Sequence, residues 1–383
     1  MNETQTNDIR TNDTPRQEDQ RNDYLRLSLV PGVGPKIFEQ LLERFESPAN
    51  VLAAAPSDLR SVSGVGPKLA RQISLATDEI DIAPHLELCR KNNVRIVDRK
   101  DAAYPKLLKQ IHNPPNILYM HGEVVAQDEL AIAIVGSRHA TAYGKRIADR
   151  LARGLAMAGF TIISGLARGI DAAAHRGALA AGGRTIAVLG SGVMNIYPPE
   201  HTELALDVRK NGAVISEQPP TSQPKSGSFP QRNRIVTGMS LGTVIVEAAE
   251  RSGALISARL AMEQDREVFA VPGQIDSRMS RGCHKLIRDG AKLVESVDDV
   301  LEELGPLATP TTTPSGDSVR HPAELQLNDQ ERLVLQAIAV EPTELEAIID
   351  VTELPAHRIL STISVLEIRR LIRRISGTAV VRI

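Results

Sequence analysis

The sequence has no tryptophan and few other aromatic residues, with five tyrosines and five phenylalanines among its 383 residues. Few rings are therefore available to stack on nucleic-acid bases. The two cysteines, Cys89 and Cys283, lie in different segments without a CxxC spacing, which is typical of a reducing cytoplasm. No apolar run approaches the roughly 20 residues of a membrane span, and the N-terminal segment has no hydrophobic signal core. We therefore expect a cytoplasmic protein without a membrane partner.

The chain also lacks an excess of charge of either sign and the common catalytic motifs. A formal net charge of -2 gives no overall attraction to nucleic acid, so any anion site must be a local patch. There is no HExxH, no GxSxG and no P-loop lysine, and the pair Gly190 and Gly192 lacks the third glycine of a dinucleotide fingerprint. His175, His201 and His284 stand alone as candidate ligands, and the adjacent Cys283 and His284 suit no metal geometry without further partners. We therefore expect no catalytic residue, no cofactor and no metal site.

Three short apolar runs rich in Val and Ile, at 131–138, 160–171 and 184–192, each end in a glycine-rich turn. They lack the alternation of a half-exposed strand, which is typical of parallel strands whose two faces are both covered by helices. A helical pattern at 141–159 separates the first two. Together with later strand-like runs, they predict an α/β fold with a doubly wound, mostly parallel sheet of about seven strands.

Polar residues follow the first two of these strands at the edge where such sheets bind ligands. After the first strand, glycine allows a close backbone approach, serine can donate a hydrogen bond, and arginine can clamp a phosphate. The second turn leads into a helix whose free amides should attract an anion. The alternative is ordinary turn chemistry, with Asp171 as a cap and His175 packed into the helix. The predicted anion-binding residues are Gly136, Ser137, Arg138, Ser164, Gly165, Ala167, Arg168 and Gly169.

A further cluster at 229–234 combines an aromatic ring with arginine and amide side chains, and we expect it in a loop. Arginine contacts to phosphate and stacking of a base on a ring are a common pair of contacts to single-stranded nucleic acid. The alternative is that Phe229 fills a gap in the core and the arginines pair with Glu217 or Glu247. The predicted contacts are Phe229, Arg232, Asn233 and Arg234, with Lys225 just before them.

An internal repeat lies near the N-terminus, where the motif at 30–36 returns at 62–68 before a second helical pattern. The repeat resembles a tandem helix-hairpin-helix (SAM-like) module, whose hairpin amides and lysine can hold a phosphate without reading sequence. Alternatively, both hairpins only close a small helical bundle. The possible phosphate contacts are Gly32, Gly34, Lys36, Gly64, Gly66 and Lys68.

Composition divides the chain into five segments: a polar, disordered arm at 1–22, the helix-hairpin-helix domain at 23–84, the sheet domain at 85–304, a linker at 305–327 and a terminal domain at 328–383. Three helical patterns and a hairpin describe the terminal domain as a winged helix. Its third helix and the hairpin carry Arg358, Arg369, Arg370, Arg373 and Arg374. These arginines fit DNA binding or, equally, a solvated basic edge on a protein-docking module.

Taken together, the motifs resemble the DprA/Smf family, the DNA-processing protein A of bacteria. The matching segments are 135–138, 164–171 with 174–175, 229–234, 247–248 with 252–254, and 271–273. The resemblance covers about residues 24–304 and implies an extended Rossmann-like fold that binds single-stranded DNA. It also implies a homodimer that loads the recombinase RecA onto incoming DNA in natural transformation.

The same resemblance implies a basic pocket formed by Arg138, the second turn at 164–169, and Phe229 with Arg232 and Arg234. Family members often carry a lysine three residues before this phenylalanine. Here Ser226 holds that position and the lysine is Lys225.

We therefore expect a DNA-binding protein without catalysis that supports transformation or recombination. One alternative is a Rossmann-like enzyme that hydrolyses nucleoside monophosphates, in the manner of phosphoribohydrolases, with Glu247 as its acidic residue. Another is a scaffold that uses its hairpins and winged helix to bind partners and has no affinity for nucleic acid.

Overall fold

The computed structural model describes residues 15–304, 311–312, 318–319, 327–339, 341–368, 371–376 and 378–382. They fall into two compact units: one comprises the chain up to Asn93 with 115–117, and the other comprises the remaining residues. Among the helices described, none combines the length and apolar character needed to cross a bilayer.

The described part of the first unit is helical. Proline occupies one of the first positions of several of its helices, where its missing N–H has no partner to lose. The expected arm at 1–22 falls partly outside the described residues, but its end from Pro15 onward is helical instead of disordered. The helices are α1 Pro15–Leu29, α2 Pro35–Phe45, α3 Pro48–Ala53, α4 Pro56–Leu59, α5 Pro67–Ser74, α6 Ala76–Glu79 and α7 Ala83–Lys91.

The sequence repeat in this unit corresponds to two hairpins with the same backbone geometry. Gly32 has φ +97° and Gly64 has φ +85°, a region that glycine enters without strain. The glycines at the N-caps of α2 and α5 have φ -82° in both copies, with ψ 174° at Gly34 and 172° at Gly66. The predicted phosphate contacts Lys36 and Lys68 are both exposed. Contact of these hairpins with DNA stays a prediction.

The second unit is built on a nine-stranded sheet in the order β1-β2-β6-β5-β4-β3-β7-β8-β9. In this spatial order, each neighbouring pair from β6 through β5, β4, β3, β7 and β8 to β9 is parallel, whereas β2 pairs with β6 antiparallel. The predicted number of about seven strands was too low, because β1 and β2 extend the sheet at one edge. The strands are β1 Arg95–Asp98, β2 Ile117–Gly122, β3 Ala131–Gly136, β4 Thr161–Ser164, β5 Thr185–Leu189, β6 Gly212–Ser216, β7 Gly242–Val246, β8 Glu267–Ala270 and β9 Lys292–Leu293.

Side chains of each central strand alternate between two hydrophobic clusters, one on each face of the sheet. On β3, Ile132 and Ile134 join one cluster, whereas Ala133 and Val135 join the other. Helices cover both clusters, which is why the apolar runs lack polar alternation. The helices of this part are α8 Lys106–Lys109, α9 Ala142–Met157, α10 Ile170–Ala180, α11 Thr202–Lys210, α12 Ser228–Gly238, α13 Gly253–Glu263, α14 Arg281–Arg288 and α15 Asp298–Leu304.

The order of the strands places a topological switch between β3 and β7. From β3 the chain moves through β4 and β5 to β6 in one direction, and from β7 through β8 to β9 in the other. The loops that leave β3 and β7 therefore diverge and open a crevice at the carboxyl ends of these strands.

The C-terminal residues form a winged helix, as the sequence predicted. A three-stranded antiparallel sheet, in the order β12-β14-β13, accompanies three helices. Arg358 is exposed and Arg374 lies 3.7 Å from Glu367, whereas Arg369 and Arg370 lie outside the described residues. The elements from the expected linker onward are β10 Thr311–Thr312, β11 Ser318–Val319, α16 Asp329–Gln336, β12 Thr343–Glu344, α17 Leu345–Thr352, α18 Ala356–Ile368, β13 Ile372–Arg374 and β14 Ala379–Arg382.

A buried carboxylate ties the amino-terminal ends of two central strands together. Asp128 accepts hydrogen bonds from Arg184 through Nε and Nη2, both at 2.8 Å, and from the Thr161 hydroxyl at 2.7 Å. Its side chain is 2% exposed. The charge of Asp128 and its hydrogen-bonding capacity are thus both satisfied. The Asp128–Arg184 pair therefore stabilises the start of β4 and β5.

We expect Asp128→Ala to lower the free energy of unfolding by about 3 kcal/mol, because it leaves the Arg184 guanidinium without its charge partner. Urea denaturation followed by circular dichroism measures this change. Asp207→Ala is a matched control, since it removes an exposed carboxylate that pairs with Lys210. An equal loss of stability in both variants would contradict the role of the buried pair.

A second buried titratable group, His175, lies within α10. The Thr185 hydroxyl donates to the Ile162 carbonyl, so the His175 Nδ1–H must donate to Thr185 Oγ1 at 2.7 Å. The other nitrogen, Nε2, is buried without a hydrogen-bond partner. Burial, and then the positive charge of Arg232, lower the pKa of His175 from 6.5 to about 3. The ring is therefore neutral in the folded protein.

Acid should destabilise the fold through His175, because the unfolded chain binds a proton at this residue below pH 6.5 and the folded chain does not. The stability contributed by His175 is complete above pH 6.5 and should fall by about 1.4 kcal/mol per pH unit as the pH drops toward 3. Denaturation at several pH values measures the slope. His175→Asn retains a donor to Thr185 but does not titrate, so the same slope in the variant would rule the explanation out.

Candidate nucleic-acid interface

The crevice at the switch between β3 and β7 contains a cavity of about 870 Å³. We call it the switch-point cavity. Its wall includes the loop after β3, the second glycine turn, the start of α12 and the start of α13. Of the predicted site residues, those that line it are Gly136, Ser137, Arg138, Ala167, Phe229, Arg232 and Asn233.

The other predicted residues of the sheet domain lie elsewhere. Arg168 and Gly169 line a neighbouring groove. Ser164 is fully buried and its hydroxyl donates to the Ile134 carbonyl at 2.6 Å, so it is not accessible to a ligand. Arg234 forms an ion pair of 2.5 Å with Glu217, which is the alternative considered for it. Gly165 and Lys225 are absent from both walls; Lys225 is exposed, and Gly165 is buried in the turn.

Glu247 anchors the loop that carries Arg138. Its main-chain carbonyl accepts the Ser137 amide at 2.8 Å, and its carboxylate accepts the amide and the hydroxyl of Thr141, the N-cap of α9. Gly144 makes this possible, since a Cβ at that position would collide with the carboxylate. Both carboxylate oxygens of Glu247 are thus bound to Thr141, and the residue is not part of the cavity wall. This arrangement fits a structural role better than the catalytic one considered for it.

Two amides of the second turn, those of Gly165 and Ala167, are not free, which corrects the sequence-based expectation for them. The Asp171 carboxylate accepts the amide of Gly165 at 3.1 Å and that of Ala167 at 3.3 Å. Burial raises the pKa of Asp171, while the charges of Arg232 and Arg138 and the two amide hydrogen bonds oppose the rise. The position in which an anion was predicted to bind is therefore filled by the protein's own carboxyl group, as in the alternative with Asp171 as a cap.

Arg232 is a buried cation in the cavity wall. The segment that carries it was predicted as a loop, but it forms the start of α12, because Pro230 fits within the first turn of a helix. The Arg232 Nη1 donates to the Val188 carbonyl at 2.7 Å, whereas its buried Nε has no hydrogen-bond partner. Burial lowers the pKa of Arg232 to about 10 despite the opposing charge of Asp171. The side chain remains charged at neutral pH and incompletely hydrogen-bonded.

Arg138 lies at the mouth of the cavity and is exposed. Its guanidinium carbon is 5.0 Å from the centroid of the Phe229 ring, a cation–π contact. Two other residues lie next to the Phe229 ring. The centroid of the Tyr197 ring is 5.6 Å from the Phe229 centroid, and a Cβ on Gly190 would lie 3.0 Å from a carbon of the Phe229 ring. An aromatic surface and an exposed cation are therefore presented together.

Arg168, the other arginine predicted to clamp a phosphate, is engaged by the protein itself. Its Nε donates to the Glu200 carboxylate, and the two side chains are about half exposed, at 51% and 49%. This hydrogen bond raises the pKa of Arg168 and lowers that of Glu200. The pair lies in solvent, where such contacts are weak, so an incoming phosphate can compete with Glu200.

Sequence reasoning missed several residues of the cavity wall. Tyr197 had a signal, because aromatic residues are scarce in this chain, but no motif connected it with the site. Ser252 and Gly253 belong to a segment that carried the family resemblance, and Ser252 caps α13 through a 3.2 Å hydrogen bond with the Ala254 amide.

In the part of the chain described, no three His, Cys, Asp or Glu side chains lie close enough to hold a metal ion.

We expect Gly165→Ala to weaken ligand binding and to lower stability, because a Cβ at position 165 would collide with the Arg232 guanidinium. Displacement of a buried charge typically costs several kcal/mol. Thermal unfolding and oligonucleotide titration measure the two effects. Gly253→Ala is a matched control in the cavity wall, because a Cβ there meets no atom within 4 Å. Wild-type behaviour of Gly165→Ala would show that the guanidinium can move at no cost.

Three family models match the chain in consecutive segments. They describe a SAM-like helix-hairpin-helix tandem at 24–79, DNA recombination-mediator protein A at 95–305 and a DprA winged helix domain at 318–378. The central match covers the whole nine-stranded sheet, and the other two coincide with the hairpin repeat and the winged helix. The fold predicted from the sequence is thereby confirmed.

Relatives and solved structures agree with these models. Protein Smf of Synechocystis is 34% identical over 92% of this chain and 96% of its own length, and DNA processing protein DprA of Bacillus subtilis is 41% identical over 56% and 73%. The X-ray structure of DNA processing protein A from Streptococcus pneumoniae superimposes with a TM-score of 0.64 at 34% identity, covering 73% of this chain and 97% of that one. A structure of the Helicobacter pylori protein, described by its single-stranded DNA binding mode, gives 0.50 at 31% identity over 55% and 95%. This chain therefore belongs to the DNA recombination-mediator protein A family, the DprA/Smf family of bacteria.

Proposed function

We propose that this protein binds single-stranded DNA in the switch-point cavity, without catalysis, and that it protects incoming strands and delivers them to recombination. Arg138 and Arg232 contact phosphates, and Phe229 supports a base. The Helicobacter pylori relative is described as binding single-stranded DNA, and relatives at 41–43% identity are named for DNA processing, which supports this assignment.

The observation that carries the proposal is the buried Arg232 with its unpartnered Nε. A cation is seldom buried without an ion pair or a full set of hydrogen bonds, because desolvation of its charge is unfavourable. Arg232 lines the cavity while its Nε is buried, so a small shift of the side chain lets an acceptor brought by a ligand complete the set. A phosphate supplies both the acceptor and the opposite charge.

Preference for a single strand follows from the shape of the site. A half-open cavity with an aromatic ring in its wall admits one unpaired base and its phosphate, whereas the bases of a duplex are stacked and paired and cannot enter. The cation–π pair of Arg138 and Phe229 presents both elements of such a contact together. Contacts to phosphate and to the face of a base do not read sequence.

The finer parts of the proposal rest on the family. They are the loading of RecA onto the bound strand, a homodimeric assembly, a role in natural transformation and a place in the cytoplasm. Absence of catalysis is part of the same proposal and is supported by Glu247, whose carboxylate oxygens are both engaged by Thr141.

Arg138→Ala should weaken binding of oligothymidylate by about 10- to 100-fold, because it removes a charge-assisted hydrogen bond to phosphate. The dependence of log K on log salt concentration should become shallower by about 0.7. Fluorescence anisotropy with a labelled single strand and its duplex, over a salt series, measures both quantities.

Two further variants sharpen this test. Arg288→Ala removes an exposed arginine at the end of α14 and should leave affinity close to wild type. Arg138→Lys keeps the charge but loses the planar fork, so it should bind with intermediate affinity. Equal affinity of wild type and Arg138→Ala, or equal affinity for single strand and duplex, would refute the proposal.

A further inference from the structure

A second depression, of about 540 Å³, lies beside the switch-point cavity between α9 and α10. We call it the basic groove. It is lined by five cationic side chains and one carboxylate, which are Arg138, Lys145, Arg146, Arg168, Arg176 and Asp149. We infer that this groove holds the backbone phosphates of a nucleic-acid strand as the strand leaves the cavity. The inference extends the proposed function and rests on it.

Most of the positive charge in the groove is not neutralised by the protein. Lys145, Arg146 and Arg176 are exposed and, among the described residues, none has an ion-pair partner. The single carboxylate, Asp149, lies 3.4 Å from Arg153, which offsets its charge. Clustered like charges repel one another, so an anion that enters between them is attracted by all at once. The net charge of the chain is -2, which makes this local excess of cations notable.

The groove and the cavity share Arg138, which lines both. A small anion would occupy one or the other. A strand has a phosphate on every nucleotide, so it can place one in the cavity and the next ones along α9 and α10. Two of the five cations lie on α9, one lies on α10 and two lie in loops. This spread suits a chain of separated charges better than a single phosphate group.

An acidic border limits the path of the strand. On the far side of Arg176, a shallow depression of about 340 Å³ is lined by Glu200, Glu203 and Asp207. These carboxylates repel phosphate, so the groove ends there instead of continuing onto α11. A phosphate must displace Glu200 to reach Arg168, whereas Lys145, Arg146 and Arg176 have no ion-pair partner among the described residues.

The combined variant Lys145→Ala, Arg146→Ala, Arg176→Ala tests the inference in the full chain. All three residues are exposed on helices, where alanine is favourable, so the fold should be retained. The probes are labelled oligothymidylates of about 4 and about 16 nucleotides, the range of single-strand site sizes. The variant should bind the longer probe on the order of 10- to 100-fold more weakly, with a salt slope lower by about 2, or 0.7 for each phosphate contact. Its affinity for the shorter probe should match wild type.

The matched control is Lys109→Ala, Lys285→Ala, Arg288→Ala, which removes the same charge from exposed positions outside the groove. Equal weakening by both combined variants, or wild-type affinity of the groove variant for the longer probe, would overturn the inference. The single variant Arg138→Ala separates the two proposals. If Arg138→Ala abolishes binding while the groove variant binds as wild type, only the groove inference fails. If Arg138→Ala also binds as wild type, both the groove inference and the proposed function fail.

Discussion

The contact between Glu247 and Thr141 fixes the loop on which Arg138 lies, and the geometry of the site depends on it. Glu247 follows β7, whereas Thr141 begins α9 after β3, so the contact joins the two sides of the topological switch. The backbone of Glu247 is left-handed, at φ +55°, which costs about 1 kcal/mol for a residue with a side chain. The two hydrogen bonds to Thr141 and the one from Ser137 offset this strain. Arg138 is therefore held by the sheet itself.

The second turn explains why cationic side chains dominate this site. In many doubly wound sheets, free amides at the start of a helix bind the phosphates of a dinucleotide. Here the Asp171 carboxylate takes the amides of Gly165 and Ala167, so that mode of binding is blocked. Positive charge must come from side chains, and Arg138 and Arg232 supply it at the mouth and in the wall of the cavity. Such an arrangement suits a polymer whose phosphates pass over the turn.

The sequence predicted correctly the elements that leave a local pattern in it. Prediction failed for elements whose structure depends on contacts with residues far away in the chain. Runs of Val and Ile revealed the central strands because both faces are buried, and the repeat at Gly32 and Gly64 revealed two equal hairpins because only glycine adopts that φ without strain. Strands β1 and β2 were not predicted as part of the sheet, since their short runs gain their partners only at its edge. The segment 229–234 was predicted as a loop but lies within α12, where Pro230 fits in the first turn. The sequence left open whether an anion or Asp171 occupies the amides of the second turn, because only the folded turn brings Asp171 back over them.

The burial of Arg232 has opposite effects on the stability of the fold and on the binding of a ligand. Its desolvation is incurred when the chain folds, so under the proposed function it does not have to be repeated when a phosphate arrives, and binding begins from a prepared site. A methionine of similar length in its place would remove an unsatisfied charge, and such replacements often make a protein more stable. Selection for stability alone would thus favour losing this arginine. Its presence is a trade-off in which the empty protein is less stable than it could be.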